Sequence, residues 1–218
     1  TQLDEYSLAS HAKAAAAIDQ GRFTAQITPV KLEDGTVIDT DEGVRRGGTL
    51  ESMATLKPAF KKPDGTIHAG NSSQISDGSA ALMMMTSEKA RELGLTPLAR
   101  VHTAVLAASD PVIMLTAPIP ATQKALRKSG LTVDDIGVFE VNEAFSPVPI
   151  AWLTEIGADP ARLNPNGGAI ALGHPLGGSG ARIMTTMLHH MVDNGLRYGL
   201  QTMCEGGGQA NATILELL

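Results

Sequence analysis

The chain has 218 residues, 43% of them hydrophobic, enough to bury a sizeable core and to make one domain or one and a half. Its net charge of -6, 3% aromatic content and lack of a Lys/Arg stripe leave nucleic-acid binding without support. No apolar run reaches the roughly 20 residues that span a bilayer, and no charged-then-apolar leader opens the chain, so membrane insertion and secretion are not expected. The single cysteine cannot form an internal disulfide, which fits a reducing cytoplasm and leaves an organelle matrix open.

The chain opens on Thr1 and runs directly into a helical pattern (Leu3, Tyr6, Ala9, Lys13, Ala16). A piece of a longer polypeptide is therefore the expectation. Residues 1–20 are rich in helix formers and stop at Gly21, so they form a helix. From Phe23 to Gly48 short apolar alternations lie between turn signals such as Glu33-Asp34-Gly35 and predict hairpins or loops. Leu50 to Leu56 is a short helix closed by Lys57-Pro58, and Pro63-Asp64-Gly65 is a turn. Ala80 to Met85, uniformly apolar, is expected to be a strand buried on both faces, followed by a helix from Ser87 to Leu93.

Beyond Gly94-Leu95-Thr96-Pro97 the chain alternates. Strands are expected at 98–107 and 136–141, helices at 120–128, 144–156 and 178–194, and closing strands near 198–203 and 210–217. Such alternation predicts an α/β layered domain with a mainly parallel sheet covered on both faces; the closing strands could be antiparallel.

Three segments carry the chemistry. His174 ends the glycine-rich stretch Asn166-Gly167-Gly168-Ala169-Ile170-Ala171-Leu172-Gly173 and precedes Pro175. Cys204 ends an apolar run and is followed by Glu205-Gly206-Gly207-Gly208-Gln209. Imidazole shuttles protons near neutral pH, a thiol acts as base or nucleophile, and clustered glycines bring backbone N–H groups to a developing oxyanion. Asn142 and Glu143 follow the strand ending at Val141, at the carboxyl edge where parallel sheets bind ligands.

Each residue also has a plainer explanation. His174 could be structural, Cys204 a buried inert thiol, Asn142 a helix cap, and the glycines a device for tight helix–sheet packing. No dinucleotide fingerprint is present in the required strand–turn–helix context, Gly177-Gly178-Ser179-Gly180-Ala181 lacks the last glycine of a nucleophile elbow, and no metal-ligand spacing stands out. His11, His68, His102, His189 and His190 read as structural or exposed.

Together, Asn142-Glu143-Ala144-Phe145, the His174 block and the Cys204 block resemble the C-terminal signatures of the thiolase family. The resemblance extends over essentially the whole chain through Asp4-Glu5-Tyr6, Pro29, Leu56-Lys57-Pro58-Ala59-Phe60, Ala69-Gly70-Asn71-Ser72-Ser73, Asp77-Gly78 and Pro118. It implies a five-layer αβαβα sandwich, of which residues 1–75 are part of the loop domain covering coenzyme A. Residues 76–96 would close the N-terminal half, and 97–218 would be the whole C-terminal half. It also implies acyl-CoA C-acyltransferase chemistry: CoA-dependent cleavage of a 3-oxoacyl-CoA, or the reverse condensation. The acyl-accepting cysteine would lie upstream of Thr1, leaving the fragment inactive alone.

By the same resemblance His174 activates that cysteine, Asn142 holds an oxyanion water, Cys204 moves the α-proton, and Gly206 donates its N–H to a second oxyanion. Arg45, Ser52, Gly70, Ser73, Ala144 and Phe145 fall at coenzyme A positions. No covalently bound cofactor or metal is implied; CoA and acyl-CoA are the partners, in a homodimer or homotetramer. Ser72-Ser73-Gln74-Ile75-Ser76 is bulkier than the family's small-residue version, and Glu205 stands where an apolar residue is common. Two other functions compete: a noncatalytic CoA-binding module and a condensing synthase acting on carrier-protein thioesters.

Overall fold

The computed structural model describes residues 1–218. The N-terminal region is built on α1 (Gln2–Asp19), followed by the two-residue strands β1 (Val30–Lys31) and β2 (Val37–Ile38), paired antiparallel, and by α2 (Leu50–Ala54). A 3-10 turn at Ala69–Asn71 and α3 (Ser87–Glu92) complete it. The C-terminal region contains β3 (Ala99–Ala108), α4 (Pro118–Ser129), β4 (Val138–Val141), α5 (Pro147–Ile156), α6 (Ala169–Leu172), α7 (Ser179–Asn194), β5 (Tyr198–Glu205) and β6 (Gln209–Leu217).

Two sequence expectations are corrected. The four-stranded sheet has the order β3-β6-β5-β4, and only β4 and β5 run parallel; β5/β6 and β6/β3 are antiparallel. The sheet is therefore mixed rather than mainly parallel. The cause is the Gly206–Gly208 turn, which folds β6 straight back on β5, and β3 then joins the outer edge of β6. The run from Ala80 to Met85 forms no strand, and Met83 and Met84 are 82% and 66% exposed. No strand of this chain lies beside it to supply a ladder, and apolar composition without a hydrogen-bonding partner does not make a strand.

The remaining elements follow from their patterns. In α4 the residues Pro118, Ala121, Thr122 and Ala125 are buried, one stripe at helical spacing. Pro118 opens the helix and left-handed Gly130 closes it, with Arg127 and Lys128 in the last turn facing the helix dipole. α4 and α5 cover one face of the sheet around Phe139, Val141, Trp152, Leu200 and Ile214. The Trp152 indole stacks against Phe139 with ring centroids 5.1 Å apart and donates its N–H to Thr122 Oγ1 at 2.8 Å. Full burial of a side chain such as Phe139 stabilises by roughly 1.5–3 kcal/mol. α7 covers the opposite face, where Met187 and Met191 meet Val138 and Leu215. No helix is long and apolar enough to cross a membrane.

Candidate active site

β4 ends at the site, and its last residue is clamped. The Asn164 side chain accepts from Val141 N–H and donates to Val141 C=O, both at 2.9 Å. Asn142 N–H then continues the parallel ladder by donating to Thr202 C=O at 3.1 Å. Asn142 caps no helix, because α5 begins at Pro147. Its side-chain amide, 2% exposed, instead lies 3.3 Å from His174 Nε2. The plainer explanation of Asn142 is thereby removed.

Glu143 points the other way and is a buried hub. Its carboxylate accepts from Tyr6 Oη–H (2.9 Å), Ser10 Oγ–H (2.7 Å), Asn164 Nδ2–H (3.0 Å) and Ile170 N–H (3.2 Å). One side chain thus ties α1, the loop after α5 and α6 to the residue beside Asn142. Gly168 must be glycine for this to hold, since a Cβ there would stand 2.3 Å from Glu143 Cδ.

His174 is held at three points. Its N–H donates to Gln74 C=O at 2.9 Å, and the Gln74 amide reaches Gly43 C=O (2.7 Å) and Ile170 C=O (3.0 Å). Its Nδ1 meets Ser179 Oγ at 2.5 Å, and the Ser179 hydroxyl lies 2.9 Å from Pro175 C=O. Ser179 has one hydrogen. Given to Pro175, it leaves Ser179 Oγ to accept from Nδ1–H, so Nε2 keeps its lone pair and accepts from the Asn142 amide. That tautomer has a free base at the position facing Asn142. Burial, with the Arg182 guanidinium adding to it, lowers the proton affinity of His174 below the usual histidine range and favours the neutral ring.

The glycine-rich start of α7 is less open to an anion than the sequence implies, because Pro175 C=O already accepts from Gly178 N–H and Ser179 N–H, each at 2.8 Å. Cys204 lies near the end of β5, a free and half-buried thiol two residues beyond the Thr202 that takes Asn142 N–H. At a rise of about 3.3 Å per residue, that is about 7 Å further along the strand. It makes no hydrogen bond to His174 or Asn142, but all three share the carboxyl edge of β4 and β5. Burial pushes the Cys204 thiol up, and Glu205 adds to this. Glu205 is held by Asn211 Nδ2–H at 2.8 Å. In the following turn Gly208 is fastened against the loop after β3, since a Cβ there would fall 2.8 Å from Ser109 C=O. Gly206 is exposed with open space where a Cβ would be.

The structure brings four of the proposed binding positions to one wall. Ser73 N–H donates to Ala144 C=O at 3.0 Å, Ser72 bridges Phe145 in antiparallel fashion, and Ser146 N–H donates to Asn71 C=O at 3.0 Å. Phe145 stacks edge-on with Phe60, centroids 6.2 Å apart. Gly70 is buried beneath α2, where a Cβ would meet Met53 Sδ and Leu56 Cδ1 at 2.6 Å. Arg45 and Ser52 lie on the α1–α2 side. Arg45 is exposed and its N–H donates to His11 Nδ1 at 3.0 Å; the Ser52 hydroxyl is engaged in the α2 cap, donating to Thr49 C=O at 2.7 Å. Ser179, Gln74, Asn164 and Glu143 as a hub escape sequence reasoning. Only Glu143, adjacent to Asn142, carried any signal.

These features define a layered α/β protein whose polar site sits at the carboxyl edge of its parallel strand pair. Residues 1–88 match the family model "Thiolase, N-terminal domain" and residues 95–217 match "Thiolase, C-terminal domain". The chain belongs to the thiolase family, and it has the thiolase fold. It is 53% identical over 217 residues to a steroid 3-ketoacyl-CoA thiolase of Mycobacterium tuberculosis, covering 100% of this chain and 52% of that protein. It is 47% identical to an acetyl-CoA acetyltransferase of Paracoccus denitrificans, with 98% and 55% covered. Among solved structures, the Bacillus anthracis acetyl-CoA acetyltransferase superimposes with a TM-score of 0.95 at 41% identity, covering 100% of this chain and 56% of that one. Human mitochondrial 3-ketoacyl-CoA thiolase in complex with CoA superimposes at 0.91 and 37%, with 99% and 54% covered. The chain spans about half the length of the curated relatives it matches.

Proposed function

We propose that this chain is the C-terminal portion of an acyl-CoA C-acyltransferase that cleaves a 3-oxoacyl-CoA with free CoA, or runs the reverse condensation. The observation that carries the reading is the 3.3 Å approach of Asn142 to His174 Nε2, at the sheet edge that also presents Cys204. In cleavage, the lone pair of His174 Nε2 takes the proton of a cysteine thiol supplied from outside this chain. The thiolate adds to the 3-oxo carbon, the bond between that carbon and the α-carbon breaks, and its electron pair becomes a thioester enolate. The proton now on His174 Nε2 and a water held by Asn142 stabilise that enolate, and Cys204 S–H delivers its proton to the α-carbon, becoming a thiolate. The Cys204 thiolate takes the proton of the CoA thiol, the CoA thiolate adds to the enzyme-bound acyl thioester, whose oxyanion takes the N–H of Gly206, and the expelled enzyme thiolate recovers its proton from His174 Nε2.

The open space beside Gly206 and the neutral tautomer of His174 support these assignments. On the same reading Ala144 and Phe145 lie beside the pantetheine arm, with Gly70 and Ser73 in the adjoining loop and Arg45 and Ser52 in the covering domain as further coenzyme A positions. The division into a loop domain (1–75), the close of the first half (76–96) and the second half (97–218), a homo-oligomeric assembly and a cytoplasmic setting belong to it too.

The test is thiolysis of acetoacetyl-CoA by the 218-residue protein, alone and co-expressed with the nucleophile-bearing N-terminal half of a matching thiolase. Turnover is expected only in the combination, and is lost with His174→Ala or Cys204→Ala. CoA binding without turnover in the combination would leave a noncatalytic CoA module. Turnover with acyl-carrier thioesters but not with free acyl-CoA would make the protein a carrier-dependent synthase.

A further inference from the structure

Gln74 lies in the loop after the 3-10 turn, and it takes up the end of α6 with both its backbone and its side chain. A helix leaves the carbonyls of its last turn without partners of its own, and α6 is a single turn, Ala169–Leu172. Gln74 N–H donates to Ala169 C=O at 3.4 Å, and the side-chain amide donates to Ile170 C=O (3.0 Å) and Ala171 C=O (3.2 Å). Gln74 C=O in turn accepts from His174 N–H at 2.9 Å. One residue thus caps the helix and fixes the chain two residues beyond it, where the imidazole is attached. The same amide also reaches the other way. Its shortest hydrogen bond, 2.7 Å, goes to Gly43 C=O, in the segment that carries Arg45. An amide has two hydrogens for these three carbonyls, so neighbouring Ile170 and Ala171 share one of them. Beyond Gly43, Val44 packs on the cluster of Ala14, Ala17, Phe23, Ala171 and Leu172, and Arg45 N–H donates to His11 Nδ1 at 3.0 Å. The fit is close: a Cβ on Gly43 would stand 2.7 Å from Gln74 Oε1.

We propose that Gln74 is a positioning residue for His174, one that makes the place of the imidazole depend on the seating of the Gly43–Arg45 segment. The inference rests on the proposed roles of His174 as proton carrier and of Arg45 as a coenzyme A position.

The arrangement has a mechanical sense. CoA held at Arg45 seats the segment, the seated Gly43 carbonyl draws the Gln74 amide into place, and the amide holds the α6 carbonyls that lead into His174. The base is then aligned when the thiol substrate is present. A residue that only stabilised the loop would cost stability without moving His174 against Ser179 and Asn142, the two groups that meet its ring nitrogens.

The experiment is NMR of the 218-residue protein with two readouts: hydrogen exchange of the His174 backbone N–H, and the nitrogen-15 shifts of its ring, assigned by their loss in His174→Gln. Gln74→Ala deletes the amide but keeps the backbone carbonyl that accepts from His174. Exchange at His174 is expected to quicken by about 10-fold, and the ring shifts to move as the contacts with Ser179 and Asn142 loosen. Gly43→Ala leaves every Gln74 atom in the protein and pushes the amide aside; the Gly43 backbone is not left-handed, so alanine is allowed there. It is expected to change His174 in the same direction. In the double variant no amide is left to displace, so Gly43→Ala should add less than about twofold. The Trp152 indole N–H, in the layer of α4 and α5, serves as the control for folding. An unmoved His174 in either folded single variant overturns the proposal, and so does a double variant in which the two effects multiply. If Gln74→Ala does not fold, Gly43→Ala decides: a changed His174 supports the proposal and an unchanged one overturns it. These signals are read without turnover, so a coupled His174 in a protein that never cleaves acetoacetyl-CoA would keep the linkage and remove the proposed function.

Discussion

Ser179 Oγ lies 2.5 Å from His174 Nδ1 while its own hydrogen is placed for Pro175 C=O at 2.9 Å, so one hydroxyl fixes both the tautomer of the ring and the entry into α7. Ser179→Ala removes both bonds. The expected stability loss is about 1 kcal/mol, read as a shift in the urea midpoint. In the combination with the N-terminal half, thiolysis should fall by about 10-fold or more, because the proton shuttle loses its tautomer. Full activity in a folded Ser179→Ala protein would show that the hydroxyl does not orient the ring.

Cys204 offers a test in the isolated chain. Thiol alkylation proceeds through the thiolate, and burial together with Glu205 disfavours that form. Iodoacetamide should therefore react with folded Cys204 more slowly at neutral pH than with the urea-unfolded thiol, with the rate rising towards alkaline pH. Glu205→Gln should accelerate the reaction by about two- to five-fold, since it removes the adjacent negative charge. Equal rates for the two proteins, measured by intact mass over time, would rule out an effect of Glu205 on the thiol.

The buried Glu140 carboxyl sets a pH dependence of stability. Its folded value, about 8, stands above its ordinary 4.5. The native state therefore holds a proton that the unfolded chain releases. The stabilisation is fully present below about 4.5 and is lost as pH rises through about 8. Denaturation midpoints should decline across that window for the wild-type protein, and the decline should be much shallower in Glu140→Gln. Parallel curves for the two would refute the buried-acid assignment.

Gly168 stands against the most heavily bonded side chain in the molecule. Gly168→Ala would place a methyl 2.3 Å from Glu143 Cδ, and four hydrogen bonds keep that carboxylate from moving. We expect a loss of about 1–3 kcal/mol from overpacking. Glu143→Ala should cost about 3–5 kcal/mol, because it strands the donors of Tyr6, Ser10, Asn164 and Ile170 in a buried site. Chemical denaturation of both variants checks the order, and a smaller loss for Glu143→Ala would contradict the hub.

What the linear chain specified, it specified through local periodicity and through chemically distinctive residues. The alternation of helical and strand patterns declared a helix at 120–128, within what became α4, and the glycine-flanked His174 and Cys204 marked the site. Whether Ala80 to Met85 forms a strand, and whether neighbouring strands run parallel, depended on hydrogen-bond partners far along the chain, which composition does not encode. The same holds for the site's support. The Glu143 donors come from positions 6, 10, 164 and 170, and His174 is placed by Gln74 and Ser179 and kept neutral by burial, with Arg182 adding to it. Side-chain identity was thus readable from the sequence alone. Orientation, protonation and burial were decided by tertiary packing, because each is set by what surrounds a group in space rather than by its neighbours along the chain.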